Sequence, residues 1–499
     1  MSANLKKLRP YDQAPRSREP LVPGAPDSAA TLWLVVAGLW FLISAGLGTL
    51  WLVQQMLPDA RLQMHFALPF HLNIWVIVEA DRSLAAFRDA LVYGWLTNAA
   101  IGAIWFITPR LTGRHLVSDM GANVALGLWN LAVLLGLGSI FLGILPGTGP
   151  LAEFPFPVAA LGALALLMVN GFFWATVAPA LGRGAYVSLH YFGIGLLALL
   201  VLFVAQSVAP LLNLGQVPAA LVNGFYLRAL ESYWLLGAAV ATLYYLVPRA
   251  TGNPLYSGGA ALLGWVLWLV LSLLSGLAAL LDPSVPYPVT TIGSVAVMLL
   301  VLHAFLVAGN LFLTIRGRWT LAMLPGPLAF ALVAIAFVVG TSLLEAAGAL
   351  RSVQQLVVNT DWQLGAVIFG SFGAYSLAAL GLIGYALPRT LRRAWGVSGL
   401  AAAELWATWT GAAIAGGALV LGGLAQASLL AQQAAPDAIN GTLVWFRAVA
   451  FLGIGLVAIG ALALVVDLFL MYTSARTVTY DVAATPVSAT APAAGNSRA

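Results

Sequence analysis

Trp105-Phe-Ile-Thr-Pro109-Arg110-Leu-Thr-Gly113, Tyr244-Tyr-Leu-Val-Pro248-Arg249-Ala-Thr-Gly252 and Gly384-Tyr-Ala-Leu-Pro388-Arg389-Thr390 are three versions of one helix ending. In each, an apolar run meets a proline, which cannot continue a helix, and an arginine, which anchors at lipid headgroups. One such ending is an ordinary membrane stop. Three whose prolines lie 139 and 140 residues apart mark an internal repeat. Outward from these endings, apolar runs give twelve spans, near 31–53, 86–108, 122–146, 157–181, 186–212, 219–247, 257–281, 289–315, 320–345, 361–387, 397–424 and 444–473. The repeated endings close the second, sixth and tenth. The expected fold is all-α: a polytopic membrane protein of twelve transmembrane helices in three pseudo-symmetric four-helix arcs.

Composition agrees. The 499 residues are 61% hydrophobic and 8% charged, with mean hydropathy +0.94. Soluble domains carry about a quarter charged residues, so that class is excluded. Barrel strands alternate apolar and polar residues, whereas these runs are continuous. The expected division is a polar N-terminal tail (1–28), a membrane domain (29–473) and an Ala/Thr/Pro/Ser-rich, disordered C-terminal tail (474–499). The tail before the first span has no apolar core, so that span doubles as the insertion signal. Only Arg61, Arg82, Arg88, Arg228, Arg351 and Arg447 of the 22 Lys+Arg fall away from one side of the membrane. The basic side is cytoplasmic, which puts both termini there. The implied partner is the lipid bilayer, with no nucleic acid, and the implied location a bacterial plasma membrane.

Four stretches resemble a known family. Asn359-Thr-Asp-Trp362-Gln-Leu-Gly365, entering the tenth span, resembles the Thr-Asp-Trp-x-x-Gly stretch of cbb-type (C-family) cytochrome c oxidase subunit I. Arg82-Ser-Leu-Ala-Ala-Phe87-Arg-Asp-Ala-Leu-Val-Tyr93-Gly94-Trp95 resembles its second span. Gly340-Thr-Ser-Leu-Leu-Glu345 and Asn253-Pro-Leu-Tyr-Ser257 resemble its Thr-Phe-Glu segment and the loop after its sixth helix. The likeness is to the heme–copper oxidase subunit I superfamily, with nitric oxide reductase large subunits as the sister group. It implies two hemes, of the b type, and a copper ion held by six histidines.

Those histidines are missing. The His-x-His of the tenth span reads Ala366-Val367-Ile368. The second-span heme ligand falls on Phe87, the adjacent copper pair of the seventh span on Ala278 and Ala279, and the sixth-span copper ligand on Arg228, or on Leu227 if the register slips by one. The tyrosine before the copper pair reads Ser272. There is no Cys, and only five His exist. His65 and His71 fall in the loop before the second span and His115 in another loop. Only His190 and His303 lie within spans, which the resemblance puts in different arcs. Two imidazoles cannot assemble two hemes and a copper site. Neither heme b nor copper is therefore expected, and a reduced cavity should remain between the second, sixth, seventh and tenth spans, bordered by Phe87, Arg228, Ala278 and Ala366.

Ionisable groups in hydrocarbon are costly and mark candidate sites. Arg228 and Glu231 share a helix face three residues apart, as a charged patch in the emptied copper cavity or as an ion pair filling a polar hole. Glu345 matches a family glutamate on a proton-entry route, at a shallow span end. Glu404 and Asp467 lie in the last two spans. His190 and His303 are read as polar helix contacts rather than ligands. The resulting expectation is a non-catalytic subunit I homologue: a partner, assembly or regulatory subunit beside other respiratory oxidase subunits. The alternatives are a genuine terminal oxidase subunit I, active in aerobic respiration, and a transporter using the emptied cavity. Reporter fusions after Arg114, Arg318 and Arg393 should read cytoplasmic, and fusions near Glu153 or Asp437 external. Two contrary readings would overturn the orientation.

Overall fold

A computed structural model describes residues 20–57, 62–68, 72–145, 149–212, 215–280 and 284–473. It contains twelve helices long and apolar enough to cross a membrane: Ser28–Met56, Ala80–Thr112, Asp119–Leu142, Phe156–Ala180, Val187–Leu212, Gln216–Thr251, Gly258–Ala279, Tyr287–Ile315, Pro327–Ala349, Asp361–Leu391, Gly399–Ala431 and Pro436–Thr473. The count agrees with the sequence. The ninth begins later than expected because Pro327 sits in its first turn, where its missing N–H costs nothing. The expected tail 474–499, the first 19 residues and His71 lie outside the described residues.

The helices are not equivalent. In the second and sixth spans 94% of the most apolar stretch is buried, and in the tenth 83%, against 39–56% in the other nine. Three helices therefore form the axis and nine surround them. At their Pro-Arg ends the axis closes with three mutually edge-on rings. Phe106 meets Tyr245 at 6.1 Å and Tyr385 at 6.2 Å, and Tyr245 meets Tyr385 at 6.4 Å. Arg110, Arg249 and Arg389, each four residues beyond its ring, lie over these faces at 3.8, 5.6 and 3.6 Å. Each helix then stops on a left-handed residue, Gly113, Gly252 or Arg392. The repeat read from Pro-Arg spacing is thus a repeat of packing. Asp27, at the end of the N-terminal segment, pairs with Arg110 at 3.3 Å.

A second repeated feature was not read from sequence. Each central span carries a widened π turn at the same level: Ala90–Leu96, Leu230–Leu236 and Phe369–Tyr375. Such turns free backbone carbonyls that must be bonded again inside a membrane. Trp129 of the third span donates to the Tyr93 carbonyl, and Trp268 of the seventh to the Ser232 carbonyl. Both donor and acceptor pairs are 139 residues apart, the repeat length. In the third arc Ser376 bonds the Ser371 carbonyl and accepts from Trp95.

The described chain departs from all-helix in one place. An antiparallel hairpin, Leu62–Leu68 with Leu72–Val78, joins the first two spans and carries His65. Its register runs from Leu62 opposite Val78 to Leu68 opposite Leu72. As strands rather than a helix, these two segments satisfy their backbone groups by pairing with each other.

The resemblance motif entering the tenth span is a packing device. Thr360 caps the helix, Asp361 binds Arg447 of the twelfth span at 3.1 Å, and the Asp361 N–H donates to Gln426. A Cβ on Gly423 would stand 2.2 Å from the Trp362 nitrogen, and one on Gly365 2.6 Å from the Val420 nitrogen. Gly423→Ala should therefore lower the thermal unfolding midpoint, with an overpacking cost of about 1–3 kcal/mol. Gly455→Ala, which meets nothing within 4 Å, should not. Equal effects in a detergent melting experiment would contradict this packing account.

Candidate functional site: a cavity at the level of the three widened turns

The π turns border one cavity of about 400 Å³, toward the hairpin end of the bundle. Leu91 and Val92, Leu230 and Glu231, and Ser371 come from the second-, sixth- and tenth-span turns. Phe87, Arg228, Ala278 and Ala366, the four residues expected to border a cavity, all line it, as does Ala279. Glu345, Gln354 and Trp362 complete it from the ninth span, the following short helix and the tenth span. Ile368 is fully buried but is not on the wall. Ser272 is buried away from it, with its hydroxyl unpartnered.

Phe87 occupies space rather than offering a donor. Its ring stacks on Trp51 at 6.5 Å and on Phe372 at 6.2 Å. At the opposite wall the backbone itself presses in: a Cβ on Gly293 would stand 2.1 Å from the Ala278 nitrogen. Small residues there follow from close helix approach.

The polar side of the cavity is an ion triad. Arg228 pairs with Glu231 at 3.5 Å, one turn along its own helix, and makes a close ion pair with Glu345 of the ninth span. Glu345 therefore points inward and is mostly buried, although its span end was read as shallow. Tyr375 donates a hydrogen bond to Glu231, so the tenth span joins the cluster. The guanidinium ties the sixth span to the ninth, and Glu231 extends the tie to the tenth.

His190 and His303 are elsewhere. Both lie off the cavity wall, on the fifth and eighth spans. His303 Nε2 shares a 3.0 Å hydrogen bond with the Tyr191 hydroxyl, so these two spans meet, although the resemblance assigned them to different arcs. His190 packs on Trp265 at 5.3 Å. Of the last-span acids, Asp467 accepts the Gly396 and Val397 N–H groups and anchors the turn into the eleventh helix. Glu404 is buried close to it.

A second acidic group went unread in the sequence. Asp89 is fully buried with both oxygens unpartnered, beside Arg88, which lines the cavity. Glu153, in the connection between the third and fourth spans, joins it, with one oxygen buried and unpartnered. Asp89 lies within the expected second span and so carried the signal of an ionisable group in hydrocarbon, whereas Glu153, in a connection, is revealed only by its position in the fold.

Among the described residues, those lining the cavity include no imidazole, thiolate or thioether. Heme iron takes its protein ligand from His, Cys, Met or Tyr, and copper from imidazole or soft sulfur. Carboxylates around a guanidinium, two amides and a hydroxyl do not fit that chemistry.

An axis of three helices ringed by nine, with a cavity among the central spans, defines a class of membrane protein, and the comparisons name it. The Cytochrome C and Quinol oxidase polypeptide I family matches residues 28–456. The chain belongs to that family. It is 22% identical over 367 residues to the Cbb3-type cytochrome c oxidase subunit CcoN1 of Stutzerimonas stutzeri, covering 72% of this chain and 75% of that one. Cytochrome c oxidase subunit 1 of Rhodobacter capsulatus is 23% identical over 335 residues, 64% of this chain and 62% of its own length. A heme-copper terminal oxidase dimer superposes with TM-score 0.75 at 16% identity, over 90% of this chain and 84% of the other. The protein is a cytochrome c oxidase subunit I-like multi-pass membrane protein.

Burial pushes the Glu153 carboxyl up from an ordinary value near 4.5 to about 7, against the pull of Arg88. The folded state thus holds this proton more tightly than the unfolded chain does. Its stabilising effect is full below about pH 4.5 and is lost as pH rises through about 7. The unfolding midpoint should fall over that window, and Glu153→Gln should flatten the fall. An unchanged slope in the variant would contradict the assignment.

Proposed function

We propose that this chain is a non-catalytic member of its family, without heme b or copper. It works as a partner, assembly or regulatory subunit beside other respiratory oxidase subunits in a bacterial plasma membrane, with both termini cytoplasmic. The observation that carries the reading is the donor set of the cavity. Where the resemblance calls for ligand histidines, the wall has Phe87, Arg228, Ala278, Ala279 and Ala366. A metal centre has been exchanged for a stacked ring, small residues and a fixed ion triad.

Retention of the scaffold follows from its energetics. The central spans are tied by Trp129, Trp268 and the aromatic triad at the Pro-Arg ends, none of which needs a cofactor. Partial filling of the former site limits the cost of the remaining void, which scales at about 24 cal/mol per Å³ in a well-packed core. A subunit of this kind presents the helical surface of an oxidase subunit without its electron chemistry.

Purified from membranes, the protein should show no Soret band at stoichiometric strength. The double change Phe87→His and Ala366→His should not create one, since the Phe87 ring space and the Ala278 wall stay closed to a macrocycle. A stoichiometric bis-imidazole heme spectrum, abolished by changing His190 or His303, would overturn the reading.

A further inference from the structure

The charges on the cavity wall balance. Among the described residues, the ionisable groups lining it are two arginines, Arg88 and Arg228, and two glutamates, Glu231 and Glu345. Three of the four are committed to one another: Arg228 pairs with Glu231 at 3.5 Å and makes a close ion pair with Glu345. Asp89 and Glu153 stand near Arg88 but do not line the cavity. An occupant with a net charge would find no spare counter-charge on this wall. Satisfying it would mean breaking a buried pair, which strands the ion left behind. The wall therefore disfavours net charge of either sign.

Polarity is a different matter. Gln354 and Gln363 bring amides to the wall, and Ser371 a hydroxyl. The Gln354 Nε2 reaches the Ala278 carbonyl only at 3.5 Å, so this amide is weakly engaged and keeps both donor and acceptor capacity. Most of the remaining wall is apolar, with Phe87, Leu91, Leu227, Trp362 and Val367 among its residues. The volume of about 400 Å³ falls within the ~300–1,000 Å³ range of small-molecule sites, in which a few polar groups orient a ligand against an apolar surface. Water alone would leave that surface unmatched, because an ordered water needs two to four polar partners.

We propose that the cavity binds an uncharged amphiphile, a hydroxyl or carbonyl head on an apolar body. The head lies at the Gln354 amide, toward the hairpin end, and the body runs inward past Phe87 and Ala366 to Leu91. The inference rests on the cofactor-free reading, because a heme would fill the same space. Arg228 and its two carboxyls stay paired in the occupied site and contribute by excluding ions.

The test is calorimetric titration of the full-length, spectroscopically heme-free protein in lipid nanodiscs, with empty nanodiscs as the reference. The probes are octanol, octylammonium and octanoate. Octanol should bind saturably and at least about tenfold more tightly than either charged compound, the cost of leaving a buried charge unpartnered. Gln354→Leu should weaken octanol by about fivefold, the worth of a neutral hydrogen bond. Arg88→Gln leaves an acid in excess on the wall and should raise octylammonium affinity by about tenfold. Glu345→Gln leaves a cation in excess and should raise octanoate affinity by as much, while octanol stays unchanged in both variants. Ala366→Leu, which narrows the cavity without altering charge, should weaken octanol and serves where a charge variant does not fold. A charged compound that binds the unmodified protein as tightly as octanol would overturn the proposal. So would the absence of saturable binding, or charge variants that leave the order of the three probes unchanged. Each of these outcomes leaves the cofactor-free reading in place. Heme in the purified protein is a separate failure, visible in the spectrum before any titration.

Discussion

In hydrocarbon no water is available to bond a backbone group that a helix releases, and the rest of this structure depends on that constraint. The three axial spans each release carbonyls at a widened turn, and each turn is tied off by a side chain from a neighbouring segment or from its own helix. Trp129 and Trp268 do so from the ring helices, and Ser376 does so within the tenth span. These bonds fix the rotation of the axial helices about their own axes. The rotation decides which side chains face the cavity: Leu91 and Val92, Leu230 and Glu231, and Ser371. The site is a consequence of how the irregular backbone is satisfied.

Electrostatics sets the other half of the design. Arg228 inside a membrane is tolerable only with charged partners, and it has one on its own helix and one on the ninth span. Removing a partner of such a pair costs more than the pair contributes, because the remaining charge is stranded. The triad therefore works as a mechanical tie between the sixth, ninth and tenth spans as well as a charged wall. Packing on the far side is done by glycines: Gly365, Gly423 and Gly293 let backbone meet backbone, which brings the tenth and eleventh spans, and the seventh and eighth, close together.

Much of this was legible in the sequence, for local reasons. Span number and the Pro-Arg repeat depend on apolar length, Pro and Arg, all of which act within one turn. The cavity wall at Phe87, Ala278, Ala279 and Ala366 was reached through resemblance. The pairing of Arg228 with Glu231 followed from helical spacing, but its bond to Glu345, 117 residues away, follows from no spacing rule. Trp129 and Trp268 carried a readable signal, the same 139-residue interval as the prolines, whose meaning depends on the π turns. Asp89, inside the expected second span, carried the signal of an intramembrane acid, but its partner Glu153 lies in a connection, where a buried acid and a surface acid look alike in sequence. The hairpin between the first two spans reads as loop in the sequence, since each of its strands is only seven residues long.

The central claim is that the space among the second, sixth, seventh and tenth spans is held by side chains and a fixed ion triad instead of a redox centre. An experimental density map of the protein purified from its native membrane tests this most directly. It should show the Arg228 guanidinium between Glu231 and Glu345, the Phe87 ring stacked between Trp51 and Phe372, and no planar macrocycle or metal-strength peak within the cavity. A porphyrin-shaped density there, with a protein side chain on its iron, would contradict the account.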